Sequence, residues 1–186
     1  MEKDYLKKIL SETLEAQVFC DVGGYHGFYS LVSKAEKNYV FEVDPENLET
    51  LKKNVELNPT QDIRIQEKAV WSSNGSVKVE TGEGGKSNVS SQGLERESVT
   101  LDSFFEDRED PDVVKIDVEG AEGHVLQGAE QVLEKSHPTL FIEFHFDNRL
   151  SSFGHSFSEL KKFLQDFGYS FEFVQNRGSE KLVVAE

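Results

Sequence analysis

A single cysteine, Cys20, is too few for an internal disulfide, and its place at the end of an apolar run reads as a buried structural thiol rather than a nucleophile. Basic residues are scarce: 20 lysines and arginines face 35 aspartates and glutamates, for a net charge of -15. Such a chain repels a phosphate backbone unless its cations cluster, and they do not cluster in sequence, so nucleic acid is excluded as the expected partner. No apolar run is long enough to span a bilayer, and residues 1–10 mix charges with apolar residues at helical spacing instead of forming the apolar stretch of a signal peptide. No membrane partner is expected, and the expected location is cytoplasmic. No internal repeat and no low-complexity linker divides the 186 residues, which fit one domain. A domain of this size buries roughly two-thirds to three-quarters of its unfolded surface.

What the chain does have is patterned apolar area. The hydrophobic fraction is only 37%, but 14 phenylalanines recur within segments of strand or helix length. Strand-length apolar runs alternate with amphipathic helix-length stretches, the pattern of βαβ units around a mainly parallel sheet. The periodicity predicts strands over 18–21, 39–43 and 63–70, with helices over 27–37 and 45–58. Residues 71–110 turn polar around a glycine-rich centre and read as an irregular excursion beside a substrate pocket, with one candidate short strand at 76–80. Periodicity resumes with a strand over 112–116, a helix over 121–135 and a strand over 139–144. A helix over 157–167 and a terminal hairpin of 170–174 with 181–185 complete seven principal strands. The expected class is doubly wound α/β with a C-terminal antiparallel hairpin.

The segment Asp21-Val22-Gly23-Gly24-Tyr25-His26-Gly27 lies where the first strand passes into a helix, and its glycines allow the backbone to approach a ligand closely. Glu42 ends the next strand, where an acidic side chain in such folds reaches ribose hydroxyls. The competing reading is an ordinary turn whose glycines serve only packing. A nicotinamide cofactor fits less well, because its fingerprint needs Gly-x-Gly-x-x-Gly and the spacing here is Asp-x-Gly-x-x-x-Gly. A phosphate-cradling loop at Gly85-Lys86-Ser87 fails because position 80 is Glu80.

Three separated motifs, in order, give the chain a resemblance to the FkbM-type methyltransferases. They are Val18-Phe19-Cys20-Asp21-Val22-Gly23-Gly24-Tyr25-His26-Gly27-Phe28-Tyr29-Ser30, then Phe41-Glu42-Val43-Asp44-Pro45-Glu46-Asn47, and Lys115-Ile116-Asp117-Val118-Glu119-Gly120-Ala121-Glu122 followed by Gly128-Ala129. The last is the most specific, and the match covers most of the chain. The resemblance implies a class I, Rossmann-like methyltransferase domain over 1–186, with the cofactor half at about 16–70 and the acceptor side at about 71–186. It implies S-adenosyl-L-methionine as methyl donor and, as in several relatives, O-methylation of a hydroxyl on a sugar or natural product. By position, Asp21, Gly23, Gly24 and Gly27 look like the methionine-moiety loop, Glu42 like the ribose ligand, Ala69 like an adenine contact, and Asp117 like a neighbour of the methyl group. The family often has Ala-Asn where this chain has Gly24-Tyr25, and Glu-Pro where it has Glu42-Val43. These departures bear on loop contacts rather than on the fold.

Methyl transfer is a displacement at a sulfonium carbon, so the protein must align the acceptor, exclude water and remove the hydroxyl proton. Asp117, Glu119, Glu143 and His145 end two strands that the fold places side by side at its carboxyl edge. His145 is the expected general base, since imidazole titrates near the operating pH, with Glu143 or Asp117 orienting it. The alternative is a histidine hydrogen-bonded within the strand end. Phe141, Glu143 and His145 should share one side of their strand, opposite Ile142, Phe144 and Phe146. A divalent metal among Asp117, Glu119, Glu143 and His145 is chemically conceivable but is not predicted. Lys115, in an apolar strand, needs a partner, whereas 106–110 is a solvated charge run. His26 lies in the cofactor loop, His124 and His137 should face solvent, His155 should assist a turn, and Trp71 is either an adenine platform or rim packing. Two other classes of function remain in view at this point: a non-catalytic cofactor-binding or interaction domain, motivated by Tyr25, and a nicotinamide-dependent oxidoreductase. The acceptor and the oligomeric state are not encoded in any motif.

Overall fold

In the computed structural model, which describes residues 3–81, 87–89, 93–146, 148–178 and 180–186, α1 (Lys3–Glu12) leads into β1 (Val18–Val22), α2 (Phe28–Val32), β2 (Lys37–Phe41), α3 (Pro45–Glu56) and β3 (Ile63–Gln66). Then come β4 (Ala69–Val70), β5 (Gly75–Thr81), β6 (Ser87–Val89), β7 (Leu94–Val99), α4 (Leu101–Phe105) and β8 (Val113–Ile116). The chain closes with α5 (Glu122–Gln127), α6 (Glu130–Ser136), β9 (Thr139–His145), α7 (Arg149–Ser152), α8 (Phe157–Asp166), β10 (Phe171–Arg177) and β11 (Glu180–Ala185). The main sheet has seven strands in the order β10-β11-β9-β8-β1-β2-β3. All neighbours from β9 to β3 run parallel, and β11 runs antiparallel between β9 and β10. This is the expected doubly wound sheet with its C-terminal hairpin.

Strand alternation explains the two faces. Val18, Cys20, Val22, Val114, Ile116, Leu140, Ile142 and Phe144 join Leu101, Phe105, Val125, Leu133, Leu160 and Leu164 from α4, α5, α6 and α8 in one core. Phe19, Val113 and Phe141 point the other way, onto Tyr5 and Ile9 of α1, while Val40 meets Leu48 and Leu51 of α3. Cys20 is fully buried, and desolvation pushes its thiol well above the ordinary range, as a structural cysteine requires.

Several boundaries differ from the periodicity. The helix expected over 27–37 stops at Val32, because Ser33 turns extended and its Oγ accepts from the Ala35 N–H. Lys34, Glu36 and Lys37 N–H groups then bond Thr13, Ala16 and Gln17, so the chain follows the α1–β1 turn and β2 begins early. The strand expected over 63–70 divides, with Ile63–Gln66 pairing β2 and Ala69–Val70 pairing β7. The helix expected over 121–135 breaks at Gly128, where a Cβ would lie 2.1 Å from the Trp71 carbonyl oxygen. Asp102 bridges that break: its N–H donates to the Gly128 carbonyl and its carboxylate accepts from the Val132 N–H. The hairpin strands are longer than 170–174 and 181–185, and α7 lacks a sequence signal.

The largest correction concerns 71–110. This stretch is not an irregular excursion: β4, β7, β5 and β6 form a second, four-stranded sheet, and Leu101, Phe104 and Phe105 of α4 enter the main core. Its strands carry Ser-Val-Lys-Val-Glu and Leu-Glu-Arg-Glu-Ser-Val, which bury few side chains and so show little apolar signal. Part of the glycine-rich centre, residues 82–86, lies outside the described residues.

Candidate active site

The carboxyl ends of β1, β2, β8 and β9 open into one cavity of about 630 Å³, lined on one side by Gly23, Gly24, Glu42, Ala69 and Trp71 and on the other by Asp117, Glu119, Glu143 and His145. The chain crosses from β1 to the opposite neighbours β2 and β8 here, which makes this the topological switch point. Tyr25 and Phe28 sit at the cavity with 46% and 54% of their surface exposed, large rings that no core contact hides.

The first turn is held by its glycines. Gly23 has φ 77, and a Cβ there would lie 1.9 Å from the Asp117 carbonyl oxygen; at Gly24 a Cβ would lie 2.2 Å from Val40 Cγ1. Both glycine N–H groups donate to the Phe41 carbonyl at 3.0 Å, so these residues lock the ends of β1, β2 and β8 together at the cavity floor. Gly27 starts α2 with φ 84 and packs on Leu51. Asp21 is fully buried beneath the loop, accepting from Ser30 Oγ at 2.9 Å. His26 stacks on Tyr25, and its carbonyl accepts from Asn54; its ring is not part of the cavity wall.

Glu42 is 7% exposed at the end of β2. One carboxylate oxygen accepts from the Tyr25 N–H at 2.8 Å, and the other from the Val43 and Asp44 N–H groups at 2.7 and 2.8 Å. Burial raises its pKa, and the three backbone donors offset only part of that rise. Lys115 finds the partner its strand position demands: its Nζ lies 3.3 Å from Asp21 and 3.6 Å from Asp117, above the Tyr29 ring. Desolvation pulls the lysine down, but Asp21 and then Asp117 outweigh it and hold the ammonium charged.

His145 is 1% exposed, and it shares a strand side with Glu143 and Phe141, opposite Ile142 and Phe144, as the alternation requires. Its Nε2 lies 3.8 Å from Asp117 Oδ1 and 3.6 Å from Glu119 Oε2. Its Nδ1 lies 2.7 Å from Oε1 of Glu122, a side chain with no exposed surface. Sequence reasoning named Glu143 or Asp117 as the orienting group and passed over Glu122, although Glu122 ends the most specific motif. The two residues are 23 positions apart, and only the packing of α5 against β9 joins them. Burial lowers the His145 pKa, but the Glu122 hydrogen bond, followed by the charges of Glu122, Asp117 and Glu143, raises it above the ordinary imidazole value. Glu119 adopts φ 53 and Gly120 φ 109, a turn that brings Glu119 onto Arg149, which also approaches Glu180 at 3.8 Å. Glu143, His145 and Glu180 bring one donor atom each within 4.8 Å of one another, and we assign no ion to them.

The remaining ring side chains make contacts of their own. Trp71 stacks on His124 at 3.9 Å along the cavity wall, and Ser72 hydrogen-bonds the same imidazole, so His124 is half-buried rather than solvent-facing. His155 covers Gly123, where a Cβ would lie 2.3 Å from its ring. His137 is exposed and stacks on Tyr169. Among the described residues no helix is long and apolar enough to cross a membrane.

Comparisons with known proteins give the family and the fold. The chain is 29% identical over 151 residues to the hexuronic acid methyltransferase AglP of Haloferax volcanii, a match that covers 77% of this chain and 62% of that protein. This chain therefore spans less than two-thirds of that relative's length. A methyltransferase FkbM from Methylobacillus flagellatus superimposes with a TM-score of 0.71 at 16% identity, over 98% of this chain and 49% of the other. A Streptococcus pneumoniae protein described as a tRNA methyltransferase, in complex with S-adenosyl-L-methionine, superimposes with a TM-score of 0.57 at 16% identity, over 98% and 72%. At these identities the two structures show a shared fold. Residues 21–171 match the methyltransferase FkbM domain, and with four-fifths of its length inside that match the chain belongs to the FkbM methyltransferase family.

Proposed function

We propose that this protein is an S-adenosyl-L-methionine-dependent methyltransferase that methylates a hydroxyl of a small molecule or glycan. The observation that carries the reading is one cavity that gathers Glu42, from the end of β2, and Asp117, Glu119, Glu143 and His145, from the ends of β8 and β9 on the opposite side of β1, with Ala69 in the same lining. Glu42, nearly buried yet facing the cavity, suits a ribose diol, and Ala69 with Val70 and Val79 offers an apolar slot for adenine. Gly23 and Gly24 hold the floor on which the methionine portion would lie, and the carboxylate of Asp117 suits a neighbouring positive charge. Asp21 and Gly27 would act from beneath, Asp21 through Lys115 and Gly27 by starting α2. The cavity volume falls within the usual range for cofactor sites of roughly 300–1,000 Å³.

When bound, the cofactor supplies an electrophilic methyl group on a sulfonium sulfur. His145 then acts as general base at Nε2, the ring nitrogen opposite the one that meets Glu122, with Asp117 and Glu119 of the cavity lining within 4 Å to stabilise the resulting imidazolium. Glu143 shares the same wall and adds negative charge beside the imidazole. A hexuronic acid, the substrate named for the Haloferax relative, belongs to the sugar class this reading favours. A net charge of -15 argues against a polyanionic acceptor.

Calorimetric titration with S-adenosylhomocysteine tests the cofactor side. Wild-type protein should bind it saturably, Glu42→Ala should weaken binding at least about tenfold, which is about 1.4 kcal/mol, and NADH should not bind. Absence of binding by folded protein removes the methyltransferase reading. Binding without release of S-adenosylhomocysteine across a panel of hydroxylated sugars would instead favour a cofactor-binding module.

A further inference from the structure

We propose that Glu122 is a positioning residue for His145: its buried carboxylate holds the imidazole with Nδ1 protonated, leaving Nε2 as the ring nitrogen able to take the acceptor's proton. The inference rests on His145 being the base of the proposed reaction, and it adds the group that makes one nitrogen competent.

The geometry is specific. Glu122 Oε1 lies 2.7 Å from His145 Nδ1 and also accepts the Gly120 N–H at 3.0 Å. Both side chains are buried, at 0% and 1% exposure, and His145 lines the cavity wall. Oε1 already accepts the Gly120 N–H, so it faces the ring as an acceptor, and an unprotonated Nδ1 at this distance would set two lone pairs against each other. The proton therefore belongs on Nδ1, and in the neutral ring Nε2 carries the lone pair. Asp117 and Glu119 flank Nε2 at 3.8 and 3.6 Å, beyond a direct hydrogen bond, and they offer no proton to occupy it when ionised. Glu119 and Gly120, with φ 53 and φ 109, turn the chain just ahead of α5 so that the Gly120 N–H reaches the same Glu122 oxygen.

The reaction balances on this assignment. The acceptor oxygen forms a bond to the methyl carbon as the sulfonium–methyl bond breaks, and the hydroxyl proton passes to Nε2. The ring becomes an imidazolium whose Nδ1–H still donates to Glu122, and it returns the proton to solvent after product leaves. The charged groups facing the ring come from every element around it: Glu122 on α5, Asp117 and Glu119 after β8, Glu143 on its own strand, Glu180 on β11, and Arg149 on α7 paired with Glu119 and Glu180.

The test is nitrogen-15 NMR of histidine-labelled protein, wild type beside Glu122→Gln, across pH. It requires neither cofactor nor acceptor, so it can fail while the methyltransferase reading stands. Wild type should show neutral His145 with Nδ1 protonated, and Glu122→Gln should lower its pKa and mix the two tautomers. Once an acceptor is found, kcat of Glu122→Gln should fall about ten- to hundredfold, less than the roughly hundred- to ten-thousandfold that a general base itself contributes, because the base remains. The acid limb of kcat/KM should shift to lower pH, and S-adenosylhomocysteine affinity should stay within about twofold of wild type, a change of about 0.4 kcal/mol or less. A wild-type ring protonated at Nε2 when neutral overturns the proposal. So does a Glu122→Gln protein whose His145 tautomer and pKa are unchanged. If that variant does not fold, the wild-type tautomer alone decides.

Discussion

His145 ties the chemistry of the cavity to the stability of the protein. Its folded pKa is raised above the unfolded value, burial being outweighed by the Glu122 hydrogen bond and the surrounding carboxylates. A basic group with a raised folded pKa binds a proton more tightly when folded. Its contribution is therefore complete below the unfolded value near 6.5 and is lost as pH rises through the folded value. Thermal unfolding of wild type and His145→Gln should thus differ most at mildly acidic pH, and the gap should narrow as the pH passes above the imidazole range. A gap that widened with pH would show that His145 is held neutral in the folded protein. At this scale the site was only partly legible. His145, Asp117, Glu119 and Glu143 could be placed at one edge because they end neighbouring apolar strands, and a strand fixes which side chains share a side. Glu122 could not be placed, because a helix five residues past Asp117 can present that carboxylate in several directions, and only the contact with β9 selects one.

At the scale of elements, α4 and the second sheet show where pattern reading loses force. Strands that bury one or two side chains carry little periodicity, so the polar residues of β5 and β7 hid a four-stranded sheet. Leu101, Phe104 and Phe105 are anchored in the main core by a helix of only five residues. Removing the buried ring with Phe105→Ala should cost about 3–5 kcal/mol and lower the urea midpoint accordingly with little change in slope. Leu94→Ala, at a side chain 56% exposed on β7, should change stability by about 0.5 kcal/mol or less. Equal effects of the two would mean that α4 does not belong to the cooperative core. The split of α5 from α6 follows the same logic. Gly128 was visible in the sequence, but its reason, the Trp71 carbonyl against its Cα, was not.

At the scale of the whole molecule, 35 acidic residues stand against 20 basic ones, an excess of 15 negative charges. Self-repulsion of this kind weakens the folded state when salt is low. Raising ionic strength from about 0.01 M to about 1 M shortens the screening length from about 30 Å to about 3 Å. Tm measured by calorimetry should rise across that range, and a Tm that stayed level or fell would show that local ion pairs, such as Lys53 with Glu49 and Lys135 with Asp110, already balance the surface.

The sequence by itself determined the fold class, the seven principal strands and the strand-end edge at which the cavity opens, because continuous apolar runs mark strands buried on both faces and polar residues mark where their ends emerge. It also placed Glu42 just after its strand and the glycine turn just after β1, since a strand end has few geometries and each requires particular residues. Tertiary structure alone decided which carboxylate meets His145, which faces of 71–110 pair into a sheet, and where the long helix breaks. Those outcomes depend on contacts between residues far apart in the chain, and no local period records such contacts.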